Sequence, residues 1–143
     1  MSVLGELQPN KVFKYFEEIC SIPHGSRNLQ QISDYLVDFA KAHELKYRQD
    51  EDLNVIIWKD GSKGYEASEP VILQGHMDMV AVKEADCDKD MEKEGLDLEI
   101  NGDYISAKGT SLGGDDGIAV AYTLAVLDDE EMAHPPIEAI FTV

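Results

Sequence analysis

The spacing of apolar residues predicts three amphipathic helices in this chain. They cover residues 10–21, residues 29 to about 45, and a third stretch that follows the small residues 110–114. Ser26 or Asn28 is suited to cap the second helix. Apolar residues recur every three or four positions in each stretch, which indicates core packing rather than a cofactor site.

Shorter apolar runs between these helices predict β-strands. Asn101-Gly102, in the middle of an alternating segment, indicates a hairpin. The run that opens with Val71 is apolar on both faces, so we expect it to be buried inside a sheet that is covered on each side. Helices and strands interleave without a repeat or a linker, which predicts one α/β unit with helices on both faces of a mixed central β-sheet. The candidate strands are residues 46–49, 55–58, the first part of 71–80, 98–105 and 137–143.

Two polar residues, His76 and Asp78, lie where the apolar run changes character after Gly75. Side chains alternate along a strand, so His76 and Asp78 point the same way. A histidine beside a carboxylate at the end of a buried strand is typical of a metal ligand with its orienting partner. A strand end that faces solvent gives the same pattern.

A second polar motif, Gly113-Gly114-Asp115-Asp116-Gly117, lies where a loop enters the third helix. Helix capping explains one aspartate but not two, because neighbouring carboxylates repel unless a cation or hydrogen-bond donors neutralise them. The same repulsion argues against a phosphate, and therefore against a nucleotide. Together, His76, Asp78, Asp115 and Asp116 form a nitrogen and oxygen ligand set suited to zinc, with manganese or cobalt as alternatives.

Composition narrows the range of partners. With 143 residues, 43% hydrophobic and 29% charged, the chain has the make-up of one soluble globular domain. Its net charge of -17 argues against nucleic acid or an anionic membrane surface as partner.

The acidic stretch 81–95 predicts a solvated loop. Neither a signal peptide nor a membrane-length apolar run is present, and Cys20 and Cys87 lack the spacing of a disulfide framework, so we expect a cytoplasmic protein.

The two polar motifs together resemble those of a known enzyme family. Residues 74–80 and 108–118 resemble the dinuclear zinc peptidases related to aminoacylases and carboxypeptidases. Residues 19–24 and the strand at 54–58 resemble the branch of the aminoacyl-histidine dipeptidases. The resemblance covers essentially the whole chain in linear order. It implies hydrolysis of dipeptides through a centre of two zinc ions.

The resemblance also implies roles for individual residues. His76 would ligate one zinc ion, and Asp115 would bridge both. Asp78 would serve catalysis by orienting the imidazole of His76, a role that alternation along the strand also suggests. The peptide bond between Asp115 and Asp116 would be cis.

Other parts of such an enzyme have no counterpart in residues 1–143. They are the glutamate that acts as general base, the remaining metal ligands and the domain through which the full-length enzyme would form a homodimer. We therefore expect residues 1–143 to be the N-terminal part of a catalytic domain and to be inactive alone. Two alternatives are a non-catalytic fragment that binds a partner, and a related metal-dependent deacylase or aminopeptidase.

Overall fold

The protein combines a mixed four-stranded sheet, a hairpin and three helices. This computed structural model describes all of residues 1–143. The elements are α1 (Asn10–Cys20), α2 (Gln30–Ala42), β1 (Lys46–Gln49), β2 (Val55–Lys59), β3 (Val71–His76), β4 (Leu98–Asn101), β5 (Tyr104–Ala107), α3 (Gly114–Asp128) and β6 (Ile137–Thr142). The sheet has the order β1-β2-β6-β3, in which β3 and β6 are parallel and the other neighbours antiparallel. The predicted α/β class with a mixed sheet is confirmed.

The hydrophobic core lies against one face of the sheet. Alternate residues of β2 and β6 are fully buried there, and all three helices contribute to the same core. Ile56, Trp58 and Ile140 point to the opposite face and lie outside this core. Within these residues the helices therefore cover a single face, which differs from the expected distribution over both. The buried strand residues are Val55, Ile57, Ile137, Ala139 and Phe141.

Helix α1 packs between α2 and α3 through aromatic side chains. The rings of Tyr15 and Phe39 meet edge to face with centroids 5.5 Å apart, a favourable arrangement for aromatic pairs. The hydroxyl of Tyr15 donates a hydrogen bond to Asp128, 2.7 Å away at the end of α3. At the other end of α3, a Cβ on Gly117 would lie 3.2 Å from the ring of Phe16. The small residue thus lets α1 approach the start of α3, which carries the aspartate pair.

The expectation that the strand at Val71 is covered on both sides is wrong. β3 is an edge strand, and Val71 and Ile72 are 44% and 59% exposed. Val71 and Met77 donate their N–H groups to the chain at β6. Because neighbouring backbone groups alternate in direction, those of Ile72 and Gln74 face away from the sheet. An apolar run indicates that a strand can be buried, but it does not indicate whether the strand lies at the edge of the sheet.

Other expectations concern the ends of helices and the connecting segments. The residue before α2 is Leu29, and no side chain caps that helix, so the predicted capping by Ser26 or Asn28 is wrong. The hairpin of β4 and β5 is confirmed, with Gly102 at a φ of 60°. The acidic loop at 81–95 is largely exposed, and both cysteines are free. None of the helices has the length and apolar character that crossing a membrane requires.

Candidate functional site

His76 lies between two aspartates at the end of β3. Its Nδ1 is 2.9 Å from Oδ1 of Asp78, and its Nε2 is 3.1 Å from Oδ1 of Asp115. The side chains of His76 and Asp78 are 38% and 27% exposed, whereas that of Asp115 is 95% exposed. The fold therefore brings together the side chains of three of the four residues that the sequence singled out.

The aspartate pair does not cap α3. Gly113, at a φ of 71°, precedes the helix, and no side chain accepts a hydrogen bond from the first helical turn. Asp115 and Asp116 have non-helical backbone angles, and the bond between them is cis, as expected. The carboxylate of Asp116 accepts a hydrogen bond of 3.2 Å from the backbone N–H of His76. The backbone of His76 thus holds Asp116, whereas the carboxylate of Asp115 faces Nε2 of the His76 ring.

A glycine at the strand end allows this contact. A Cβ on Gly75 would lie 3.1 Å from Oδ2 of Asp116 and 3.2 Å from Cβ of Ala119. Both distances are tighter than ordinary van der Waals contact. Glycine therefore lets the start of α3 lie directly over the end of β3, which sets the separation of His76 and Asp115.

Charge stabilises the orientation of the imidazole. Partial burial lowers the pKa of His76, but hydrogen bonds with Asp115 and Asp78 outweigh it, so the pKa lies above its usual value. The hydrogen bond from Ser26 is the main reason that the pKa of Asp78 is lowered, and the bond with His76 adds to it. An ionised Asp78 favours the tautomer with a proton on Nδ1, which leaves the Nε2 lone pair facing Asp115.

The pair formed by His76 and Asp115 matches one edge of a zinc site. Two ligand atoms bound to the same tetrahedral zinc ion are about 3.4 Å apart, given Zn–N and Zn–O bonds of about 2.1 Å. The observed separation of Nε2 and Oδ1 is 3.1 Å. Nowhere does the chain bring three or more His, Cys, Asp or Glu residues together as a possible metal site. The residues present therefore fit two positions in a coordination sphere.

Ser26 is a member of the site that the sequence did not indicate. Ser26 donates a hydrogen bond of 2.5 Å to Oδ2 of Asp78. A serine shortly before a helix is typical of a cap, so its position in the sequence suggested a different role. Only the spatial approach of Ser26 to Asp78 reveals this contact.

Several known proteins of similar sequence or structure are named as peptidases. The chain is 40% identical over all of its 143 residues to cytosol non-specific dipeptidase from Escherichia coli. It superimposes on aminoacylhistidine dipeptidase from Vibrio alginolyticus with a TM-score of 0.95 and 38% identity over 98% of the chain. The resemblance to the aminoacyl-histidine dipeptidases is confirmed. No family model matches the chain.

The similarity concerns a limited part of these relatives. The chain spans 30% of the length of the Escherichia coli dipeptidase and 29% of that of the Vibrio structure. A tripeptidase from Staphylococcus aureus matches 97% of the chain and 37% of its own length, with a TM-score of 0.74 and 22% identity. This last match shows the same fold at low sequence identity.

Proposed function

We propose that this chain belongs to a zinc-dependent dipeptidase and supplies one side of its dinuclear metal centre. The observation that carries the proposal is the position of His76, whose two ring nitrogens face Asp78 and Asp115 at 2.9 and 3.1 Å. The identity of 40% to a cytosol non-specific dipeptidase supports dipeptides as substrates and the cytoplasm as location. The complete enzyme would act as a homodimer.

Each residue of the site has a separate task in this proposal. Nε2 of His76 and the carboxylate of Asp115 hold zinc, with manganese or cobalt as alternatives. Asp78 keeps the proton of His76 on Nδ1, so that the Nε2 lone pair is available. When bound, the metal ions supply polarisation of the scissile carbonyl and a lower pKa for a bound water. Asp116 fixes the start of α3 by accepting the N–H of His76.

The 143-residue chain alone is expected to have negligible peptidase activity. Its site joins two candidate ligands, and a third ligand with a suitable position is absent from the chain. Hydrolysis also requires a general base, which we assign to a glutamate supplied by the rest of the complete enzyme. Amine release from a dipeptide, measured with and without zinc, tests this. Zinc-dependent hydrolysis by the purified chain would overturn the proposal that the site is shared between this chain and the rest of the complete enzyme.

Zinc titration tests the ligand assignment directly. Calorimetry on the wild type, His76→Ala and Asp115→Ala should show affinity at least about tenfold lower in each variant, since even the partners of zinc ligands contribute this much. Asp86→Ala, in the exposed acidic loop, is the control for lost negative charge and should bind like the wild type. Equal affinity in the wild type, His76→Ala and Asp115→Ala would remove the metal assignment. In the complete enzyme, substrate profiling would separate a dipeptidase from a deacylase or an aminopeptidase.

A further inference from the structure

The segment that precedes α2 runs along the loop that carries Asp78. The N–H of Ser26 donates to the carbonyl of Met79, and the N–H of Met79 donates to the carbonyl of His24, both at 3.0 Å. These two bonds hold the segment and the loop together as a short stretch of parallel ladder. Gly25 faces the loop closely, since a Cβ there would lie 2.8 Å from Cβ of Ala81. The backbone thus places the side chain of Ser26 against Asp78.

The carboxylate of Asp78 is held at both of its oxygens. Oδ2 accepts the hydroxyl of Ser26 at 2.5 Å, and Oδ1 faces Nδ1 of His76 at 2.9 Å. With one oxygen held, rotation of the carboxylate about its terminal bond would break the bond with Ser26. The plane of the carboxylate, and with it the direction of Oδ1, is therefore tied to the hydroxyl of Ser26. Asp78 in turn fixes the ring of His76.

We propose that Ser26 is a positioning residue that acts through Asp78 to fix the ring orientation and tautomer of His76. Its use in zinc binding rests on the proposed function, whereas its effect on the ring belongs to the metal-free chain. Ser26 is exposed, so its hydroxyl contributes little to the core, and its removal should leave the fold intact. The role is specific to this hydroxyl. A nearby serine, Ser111, bonds only to backbone groups of Val80 and Val82 and serves as the comparison.

The first test measures the tautomer of His76 in the metal-free chain. Nitrogen-15 NMR, at a pH raised until the ring signals of His76 no longer shift and the imidazole is neutral, distinguishes protonation at Nδ1 from protonation at Nε2. The chain has four histidines, and the signal that disappears in His76→Ala is assigned to His76. The wild type, Ser111→Ala and Ser26→Thr should show the Nδ1 tautomer. Ser26→Ala should show a larger share of the Nε2 tautomer than the wild type, with the Nδ1 form still present because Nδ1 also lies 3.0 Å from the backbone carbonyl of Asp78.

The second test measures zinc affinity in the same variants. Loss of a residue that is hydrogen-bonded to a metal ligand weakens metal binding by about 10- to 100-fold. Ser26 contacts Asp78 rather than the ligand His76 itself, so we expect zinc affinity to fall by about three- to tenfold in Ser26→Ala. Ser26→Thr keeps the hydroxyl and should restore wild-type affinity. If Ser26→Ala keeps the wild-type tautomer, or if Ser111→Ala changes it equally, the proposal is overturned. Absence of zinc binding by the wild type would refute the proposed function, and the tautomer measurement would still decide the role of Ser26.

Discussion

A single methyl group at Gly113 should test how closely the two halves of the site are packed. An alanine Cβ there would lie 2.9 Å from both Cβ and Sδ of Met79. Met79 is 3% exposed and follows Asp78 directly, so it has little room to move. The clash would therefore push the start of α3 away from the loop of Asp78.

Two separate costs set the magnitude. The φ of Gly113 is 71°, a left-handed conformation that costs an alanine about 1 kcal/mol. Overpacking against Met79 adds about 1–3 kcal/mol. Gly113→Ala should therefore lower the free energy of unfolding by about 2–4 kcal/mol.

Gly102 provides a matched control. Its φ is 60°, and a Cβ there would meet no atom within 4 Å, so Gly102→Ala carries the backbone cost of about 1 kcal/mol alone. Urea unfolding of both variants measures the difference, which reports the contact with Met79. If Gly113→Ala loses no more stability than Gly102→Ala, the inferred close packing between α3 and the Asp78 loop is refuted.

Two further predictions concern the core and the response to acid. Ile57→Ala should cost about 2–5 kcal/mol because Ile57 is fully buried, whereas Ile56→Ala on the open face should cost less than half as much. Equal losses in urea unfolding would contradict a core on one face. Partial burial raises the pKa of Asp128, but the hydrogen bond from Tyr15 and the charge of Lys11 outweigh it and lower the pKa below its usual value. Asp128 therefore contributes stability that is present above about pH 4 and is lost as the pH falls further. The stability advantage of the wild type over Asp128→Asn should shrink between about pH 6 and pH 3, and an unchanged difference would contradict this assignment.

Local patterns were sufficient to predict most elements and one contact of the site. The strand Lys46–Gln49 has the predicted bounds, since its neighbours in the sequence end it on both sides. Strand alternation predicted that His76 and Asp78 lie together. The structure has them in contact, although β3 ends at His76 and Asp78 lies in the loop that follows. Both inferences concern residues close in sequence.

Contacts between distant segments could not be predicted in the same way. Ser26 and Asp78 are 52 positions apart, and nothing in the residues between them reports their approach. The edge position of β3 depends on where β6 inserts, which apolar patterning does not specify. The residue types suggested grouping His76 with Asp115, but not their contact, because it joins the end of a strand to the start of a helix 39 positions later.

The strand order also constrains the sequence of events in folding. β6 is the last element of the chain, yet it lies between β2 and β3 in the sheet. During synthesis, β1 and β2 can pair as soon as they emerge, whereas within residues 1–143 β3 has no strand partner until β6 follows from Ile137 onward. Long-range pairing of this kind slows folding because the intervening chain must be ordered first. We therefore expect the strand that carries His76 to be among the last parts of the sheet to form, and the arrangement of His76 with its two aspartates to form with it.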